Sequence, residues 1–178
     1  MARLLLHICC APCLCYPYQA LSDEKADITG FWFNPNIHPY QEYQARLGSV
    51  RDFGLRHNID IIYRDEYPLE ENLAALSKGR CRVCYSIRLE AAAKEAAQRG
   101  YDGFSTTLLY SIYQKHDLIR DLGSEIGQKF GVEFIYRDFR EGWEAGREKA
   151  GALGLYRQKY CGCIFSERDR YLKIKKQK

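Results

Sequence analysis

Short runs of apolar and β-branched residues punctuate the chain, and the polar stretches between them are long enough to hold a crossover helix. The runs are Leu4–Ile8 (LLLHI), Asp27–Phe33 (DITGFWF), Ile59–Arg64 (IDIIYR), Gly103–Leu109 (GFSTTLL) and Val132–Tyr136 (VEFIY). Each reads as a buried strand. Between them, residues 40–58 repeat apolar positions Tyr43, Leu47, Val50 and Leu55 on roughly one helical face. Residues 84–100 are alanine-rich, with Val83, Ile87 and Ala91 spaced by four and Gly100 as a stop; residues 116–131 form a third helix ended by Gly131. Strands alternating with helices predict an open parallel α/β sheet with right-handed crossovers and helices on both faces. The strings IDIIYRDE and VEFIYRDF end alike, as either a duplicated half or chance between two strand ends would produce.

Composition adds limits more than direction. The 178 residues suit a single domain with its own core, residues 1–178, and a basic tail from about residue 171 that contains four lysines. Apolar stretches reach only about five residues, well short of a membrane span, and the N-terminal run ends in cysteines rather than at a small-residue cleavage site. The expected location is therefore the reducing cytoplasm, where eight cysteines are ligands or catalysts rather than structural disulfides. A net charge of +4 does not by itself indicate a nucleic-acid partner.

In open parallel sheets, ligands bind beyond the carboxyl ends of the strands. At the end of the first strand a nucleotide-binding fold would carry its phosphate loop. Neither G-x-G-x-x-G nor G-x-x-x-x-G-K-[ST] occurs in this sequence; residues 9–15 read CCAPCLC instead. The other cysteines are Cys81-x-x-Cys84 and Cys161-Gly-Cys163. Three chemistries fit this pattern. A structural zinc would use the Cys81/Cys84 knuckle. An iron–sulfur cluster would draw soft thiolates from several segments. A strained Cys-Gly-Cys disulfide would be readily reduced and therefore redox-active.

The stretches HICCAPC, FNPNIHPYQEYQAR, RCRVCYSIRL, STTLLYSIYQKHD, DFREGWEAG and YRQKYCGCIFS, in order from residue 7 to 166, resemble the epoxyqueuosine reductase QueH family. The resemblance implies a Rossmann-like domain related to PP-loop ATPases, with cysteines in place of the ATP loop. It implies reductive removal of the epoxide oxygen from epoxyqueuosine at the wobble position of tRNA, with an external electron donor. It also implies a [4Fe–4S] cluster on Cys9, Cys10, Cys81 and Cys84, and a redox-active pair, Cys161 and Cys163. Cys13 is left to face substrate or to hold an additional iron ion, and Cys15 is a bystander.

Epoxide reduction needs a proton for the departing oxygen. The candidate acids are His116, Asp138 and His38, with Tyr113 a further donor; His7, just before the cysteines in the strand, is expected either to support the ligands or to lie in the core. For the tRNA, Tyr40 and Tyr43 are candidate stacking residues, and Arg46, Arg140 and Arg157 candidate phosphate partners. Phe31 and Phe33 are expected to face the interior.

Overall fold

The computed structural model describes residues 2–172. Five strands, β1 (Arg3–His7), β2 (Asp27–Trp32), β3 (Ile61–Tyr63), β4 (Gly103–Thr106) and β5 (Glu133–Phe134), form one parallel sheet in the order β3-β2-β1-β4-β5. This is the doubly wound arrangement of a Rossmann-like fold. The core strands are apolar without alternation, Leu4–Leu6 and Phe31–Trp32 being buried, because helices cover both faces of a parallel sheet. Phe31 and Phe33 are interior, as the sequence predicts.

The helices are α1 (Ala11–Asp23), α2 (Tyr40–His57), α3 (Leu69–Leu76), α4 (Arg80–Arg99), α5 (His116–Phe130), α6 (Trp143–Ala152) and α7 (Ile164–Tyr171). Helix α1 packs against α2 and α6, and α4 against α3 and α5. With right-handed crossovers, this puts α1 and α2 on one face of the sheet and α4 and α5 on the other. Gly100 closes α4 with φ of +66°, a backbone region that glycine occupies without steric cost.

Several sequence expectations change. β1 keeps its length one residue earlier, and the other four strands are shorter than predicted; after Thr106 the chain turns at once into a 3-10 segment, Thr107–Tyr110, so the predicted Gly103–Leu109 strand ends early. The segment after β1 is a helix rather than a loop. Pro12 sits in its first turn, where a missing N–H costs nothing, and Pro17 is accommodated inside it. Leu55, expected on the buried face of α2, is exposed, while Tyr43, Leu47 and Val50 are buried. The buried stripe of α4 is Cys84/Tyr85, Arg88/Leu89, Ala92/Ala93 and Ala96, one residue round from the Val83/Ile87/Ala91 line. No helix among the described residues is long and apolar enough to cross a membrane. Of the basic tail, residues 173–178 lie outside the described residues.

Candidate functional site

The strand order reverses between the parallel neighbours β1 and β4, whose following helices go to opposite faces of the sheet and leave a crevice at the strands' carboxyl ends. His7, the last residue of β1, is buried there. One ring nitrogen faces the Phe33 carbonyl at 3.2 Å and the other the Thr106 hydroxyl at 2.9 Å. A carbonyl only accepts, so Nε2 carries the proton and Nδ1 accepts from Thr106. Burial, helped by the charge of Arg88, lowers the His7 pKa to about 4, and the ring is neutral.

Two residues further on, the chain enters α1 through its thiols. Cys10 is the N-cap, its sulfur accepting from the Cys13 N–H at 3.4 Å. Cys9 is tied to the β4 side: its N–H donates to the Thr107 hydroxyl at 3.0 Å, and that hydroxyl donates to the Cys9 sulfur at 3.3 Å. The sulfurs of Cys9, Cys10 and Cys13 all lie within 4.8 Å of one another and are buried. Gln158, from the distant C-terminal segment, closes over them, donating to Cys10 Sγ at 3.0 Å and reaching Cys13 Sγ at 3.7 Å. Its side-chain oxygen is buried without a partner.

Three sulfurs this close cannot all carry charge unaided. Hydrogen bonds from Cys10, Cys13 and Thr107 hold the Cys9 thiol well below its ordinary range, burial pushes Cys10 up, and the neighbouring sulfurs push Cys13 up. The trio ionises as one unit, favoured by the α1 N-terminus. The Cys9 and Cys10 sulfurs are 3.8 Å apart, about the edge of a tetrahedron with metal–sulfur bonds of about 2.3 Å. The donor set is soft and fits a thiophilic metal centre in iron or zinc rather than magnesium or calcium.

Cys15 lies within α1, its sulfur on the Ala11 carbonyl at 3.5 Å, and the four remaining thiols gather around the first turn of α4. Cys84 is buried, accepting from Asn36 Nδ2 at 2.8 Å, and Cys81 is half-buried. Arg80 reaches Asp169 at 2.7 Å and lies over the Phe165 ring, tying the start of α4 to α7. Cys163 is the buried N-cap residue of α7 and Cys161 is exposed. Burial raises the Cys84 pKa to about 11; Arg88 opposes this, and the charges of Cys161, Cys163 and Cys81 add to it. The four form a second neighbourhood of thiols. The predicted grouping of Cys9 and Cys10 with Cys81 and Cys84 thus differs from the tight group among the described residues, in which Cys13 is the third member.

The remaining predicted residues divide. His38 is buried, Nδ1 bonded to the Tyr67 hydroxyl at 2.8 Å and Nε2 without a partner; burial and then Arg88 lower its pKa. His116 is buried at the start of α5, Nε2 on the Ser111 carbonyl at 3.1 Å and Nδ1 3.9 Å from Asp138. Asp138 is bound by Arg140, which lowers its pKa to about 2. It is a carboxylate at neutral pH and fails as an acid. Arg140 is half-exposed and occupied by that pairing.

Arg46 is not a surface cation. It is 2% exposed, paired with Glu42 at 2.7 Å and bonded to the carbonyls of Tyr160 and Cys161. Tyr43 is buried with its hydroxyl on Asp65, so neither offers itself to nucleic acid. Tyr40 stays half-exposed, stacked on Tyr43, and Arg157 and Tyr113 are exposed.

Sequence reasoning passed over Asn36, Arg88, Thr107 and Gln158. All lie inside the quoted motif stretches. A buried polar residue has no signature of its own in a single sequence.

Fold and site define a doubly wound α/β protein that carries a centre of buried thiols at its switch point, where a phosphate loop would sit. A solved structure described as a predicted subunit of a tRNA methyltransferase from Methanocaldococcus jannaschii superposes with a TM-score of 0.55 at 12% identity, over 85% of this chain and 75% of that one. The U34-tRNA thiolase NcsA from Methanococcus maripaludis, solved with its [4Fe–4S] cluster, gives 0.60 at 14% identity, over 89% and 59%. The family model described as epoxyqueuosine reductase QueH matches residues 4–169. Curated proteins of that name are 37% identical over 172 residues in Dehalococcoides mccartyi, covering 95% of this chain and 94% of that protein, and 35% identical over 194 residues in Thermotoga maritima, covering 100% and 98%. The chain belongs to the epoxyqueuosine reductase QueH family.

Proposed function

We propose that this chain reduces epoxyqueuosine to queuosine in tRNA at an iron–sulfur centre anchored on Cys9, Cys10 and Cys13. Cys81 and Cys84, which the family resemblance assigns to the same centre, are its further candidate ligands, and Cys161/Cys163 are the redox-active pair. The observation that carries this reading is the buried trio of sulfurs within 4.8 Å at the switch point. A bound iron–sulfur centre supplies electron transfer and an electrophilic position for the epoxide oxygen.

The chain's own residues account for the remaining requirements. Removing one oxygen atom as water takes two electrons and two protons; oxidation of the Cys161/Cys163 dithiol to a disulfide releases two of each. Cys161 is exposed and within reach of an external electron donor that restores the dithiol, while Cys163 points inward. His116 is the proton donor to the leaving oxygen. It is buried with its Nε2–H on the Ser111 carbonyl, so the proton it gives sits on Nδ1, the nitrogen that the Asp138 carboxylate faces. His38 serves less well, because burial and then the charge of Arg88 work against a proton on its ring. Tyr40 and Arg157 meet the tRNA by stacking and phosphate contact, so affinity falls as salt rises.

The test is anaerobic reconstitution with iron and sulfide, followed by turnover of epoxyqueuosine-tRNA with a chemical reductant. Broad absorbance near 400 nm (about the thiolate-to-iron region,) and product only in the loaded, reduced sample are expected. Equal turnover by zinc-loaded or metal-free protein overturns the reading. Iron counts in single Cys→Ser variants assign the ligands: loss in Cys13→Ser puts Cys13 among them, and retention there with loss in Cys81→Ser or Cys84→Ser moves the site toward α4. More than four irons per chain identifies the additional iron ion.

A further inference from the structure

Two arginines are fully inside this molecule, and only one has a counter-ion. Arg46 is paired with Glu42. Arg88 is equally buried, 2% exposed, yet among the described residues no carboxylate lies within ion-pair distance of it. Its Nε donates to Asn36 Oδ1 at 2.7 Å, and its Nη2 is buried with no partner at all. An unpaired charge in a protein interior is strongly destabilising, and such groups are retained where something balances them.

The surroundings show which group supplies the balance. Guanidinium has no acceptor, so it fixes the Asn36 amide with its oxygen toward Arg88 and its nitrogen toward Cys84. That nitrogen donates to Cys84 Sγ at 2.8 Å and to the Cys84 carbonyl at 3.3 Å. A donor aimed at sulfur stabilises a thiolate or a metal-bound sulfur most, since an S–H sulfur accepts only weakly. The two imidazoles in the field of Arg88, His7 and His38, are neutral and supply no negative charge. The thiols remain, Cys84 one helical turn before Arg88 and the Cys9 trio beside His7. We propose that Arg88 is the internal counter-charge of the thiolate centre, coupled to Cys84 through Asn36, and that it raises the centre's reduction potential. The proposal rests on the iron–sulfur reading above. Arg88 acts through its charge and through Asn36, as a positioning and tuning residue.

The experiment is potentiometry of the reconstituted protein and of Arg88→Lys and Arg88→Met, followed by the signal of the reduced centre. Removing the charge makes the centre harder to reduce. Arg88→Met is expected to show at least a tenfold lower ratio of reduced to oxidised centre at a fixed potential, about 59 mV for one electron, while Arg88→Lys stays within about twofold of the parent. An unchanged potential in Arg88→Met overturns the proposal. Equal shifts in both variants also overturn it, since an effect that does not follow the charge leaves Arg88 no counter-charge role and only its hydrogen bond to Asn36. If Arg88→Met does not fold, Arg88→Gln takes the neutral arm. A parent that binds no iron sinks the iron–sulfur reading instead, and thermal melts of metal-free protein then decide. Metal-free Arg88→Met melting at or above the parent upholds an uncompensated charge. Melting below both the parent and Arg88→Lys shows that the charge is already balanced without the centre, and overturns it.

Discussion

The Arg46 guanidinium donates from Nη1 to the carbonyl of Cys161 at 3.1 Å, across 115 positions of sequence. Its other terminal nitrogen takes the Tyr160 carbonyl at 2.9 Å, and its plane approaches the Tyr160 ring. One buried side chain on α2 thereby holds the segment that carries Cys161 and Cys163 against the sheet.

Replacing Arg46 with leucine leaves the largely buried Glu42 without its cation, with only the Tyr156 hydroxyl still donating to it, and leaves two carbonyls unbonded. Breaking such a pair costs about 3–5 kcal/mol. Urea unfolding of metal-free protein should show a loss of that size. Arg46→Lys should lose less, since a single ammonium cannot span both carbonyls. Hydrogen exchange should rise at residues 160–163 before it rises in β1.

Gly162 stands between the two cysteines with φ of +107°, and a Cβ there would lie 3.0 Å from Ile37 Cγ1 and 3.1 Å from Arg46 Nη1. Gly162→Ala combines an unfavourable backbone with a push against the arginine that holds the loop. The expected cost is about 1–3 kcal/mol, read as a lower denaturation midpoint with an unchanged urea slope.

What the sequence reveals and what it hides follow from burial. The Leu4–Leu6 run has no plausible home except a covered strand, and Gly100 ends a helix wherever alanines precede it. The order of the elements therefore follows from the pattern. Helix α1 is not among the helices the pattern predicts: two prolines in a short stretch argue against a helix, although its first turn tolerates Pro12 and only Pro17 lies in its interior. The α4 stripe was misplaced by one residue because Arg88 lies in its middle, and an arginine ordinarily marks the wet face of a helix. The same disguise removed Arg46 from the interior and Arg88 from the site. The thiols are recognisable by type and spacing. That Cys13 closes on Cys9 and Cys10 follows only once α1 starts at Ala11 with Cys10 as its cap.

Burial also sets the order in which the thiols react. Cys161 is exposed and Cys81 half-buried, while Cys9, Cys10, Cys13, Cys15, Cys84 and Cys163 are buried. Native alkylation of reduced, metal-free protein, followed by peptide mass spectrometry, should label Cys161 first and Cys81 next. Cys9, Cys10 and Cys13 should stay unlabelled until unfolding, even though Cys9 is the thiol held most readily as thiolate. Early labelling of Cys9 would show the Gln158 cover to be open in solution.

His7 gives metal-free protein a defined sensitivity to acid. Its folded pKa is lowered from 6.5 to about 4, chiefly by burial. Between those values the unfolded chain binds a proton that the folded chain refuses, so stability rises with pH across the window. The contribution is fully present above pH 6.5 and is lost progressively as pH falls toward 4; with about 1.4 kcal/mol per pH unit it amounts to about 3 kcal/mol. The proton would have to enter at Nδ1, the nitrogen that accepts from Thr106, and in the field of Arg88. Urea unfolding of metal-free protein at a series of pH values should therefore steepen in its decline below pH 6.5. His7→Gln, which cannot take up that proton, should start from lower stability and lose less of it over the same range. Parallel pH curves for parent and variant would show that the imidazole is protonated in the folded chain.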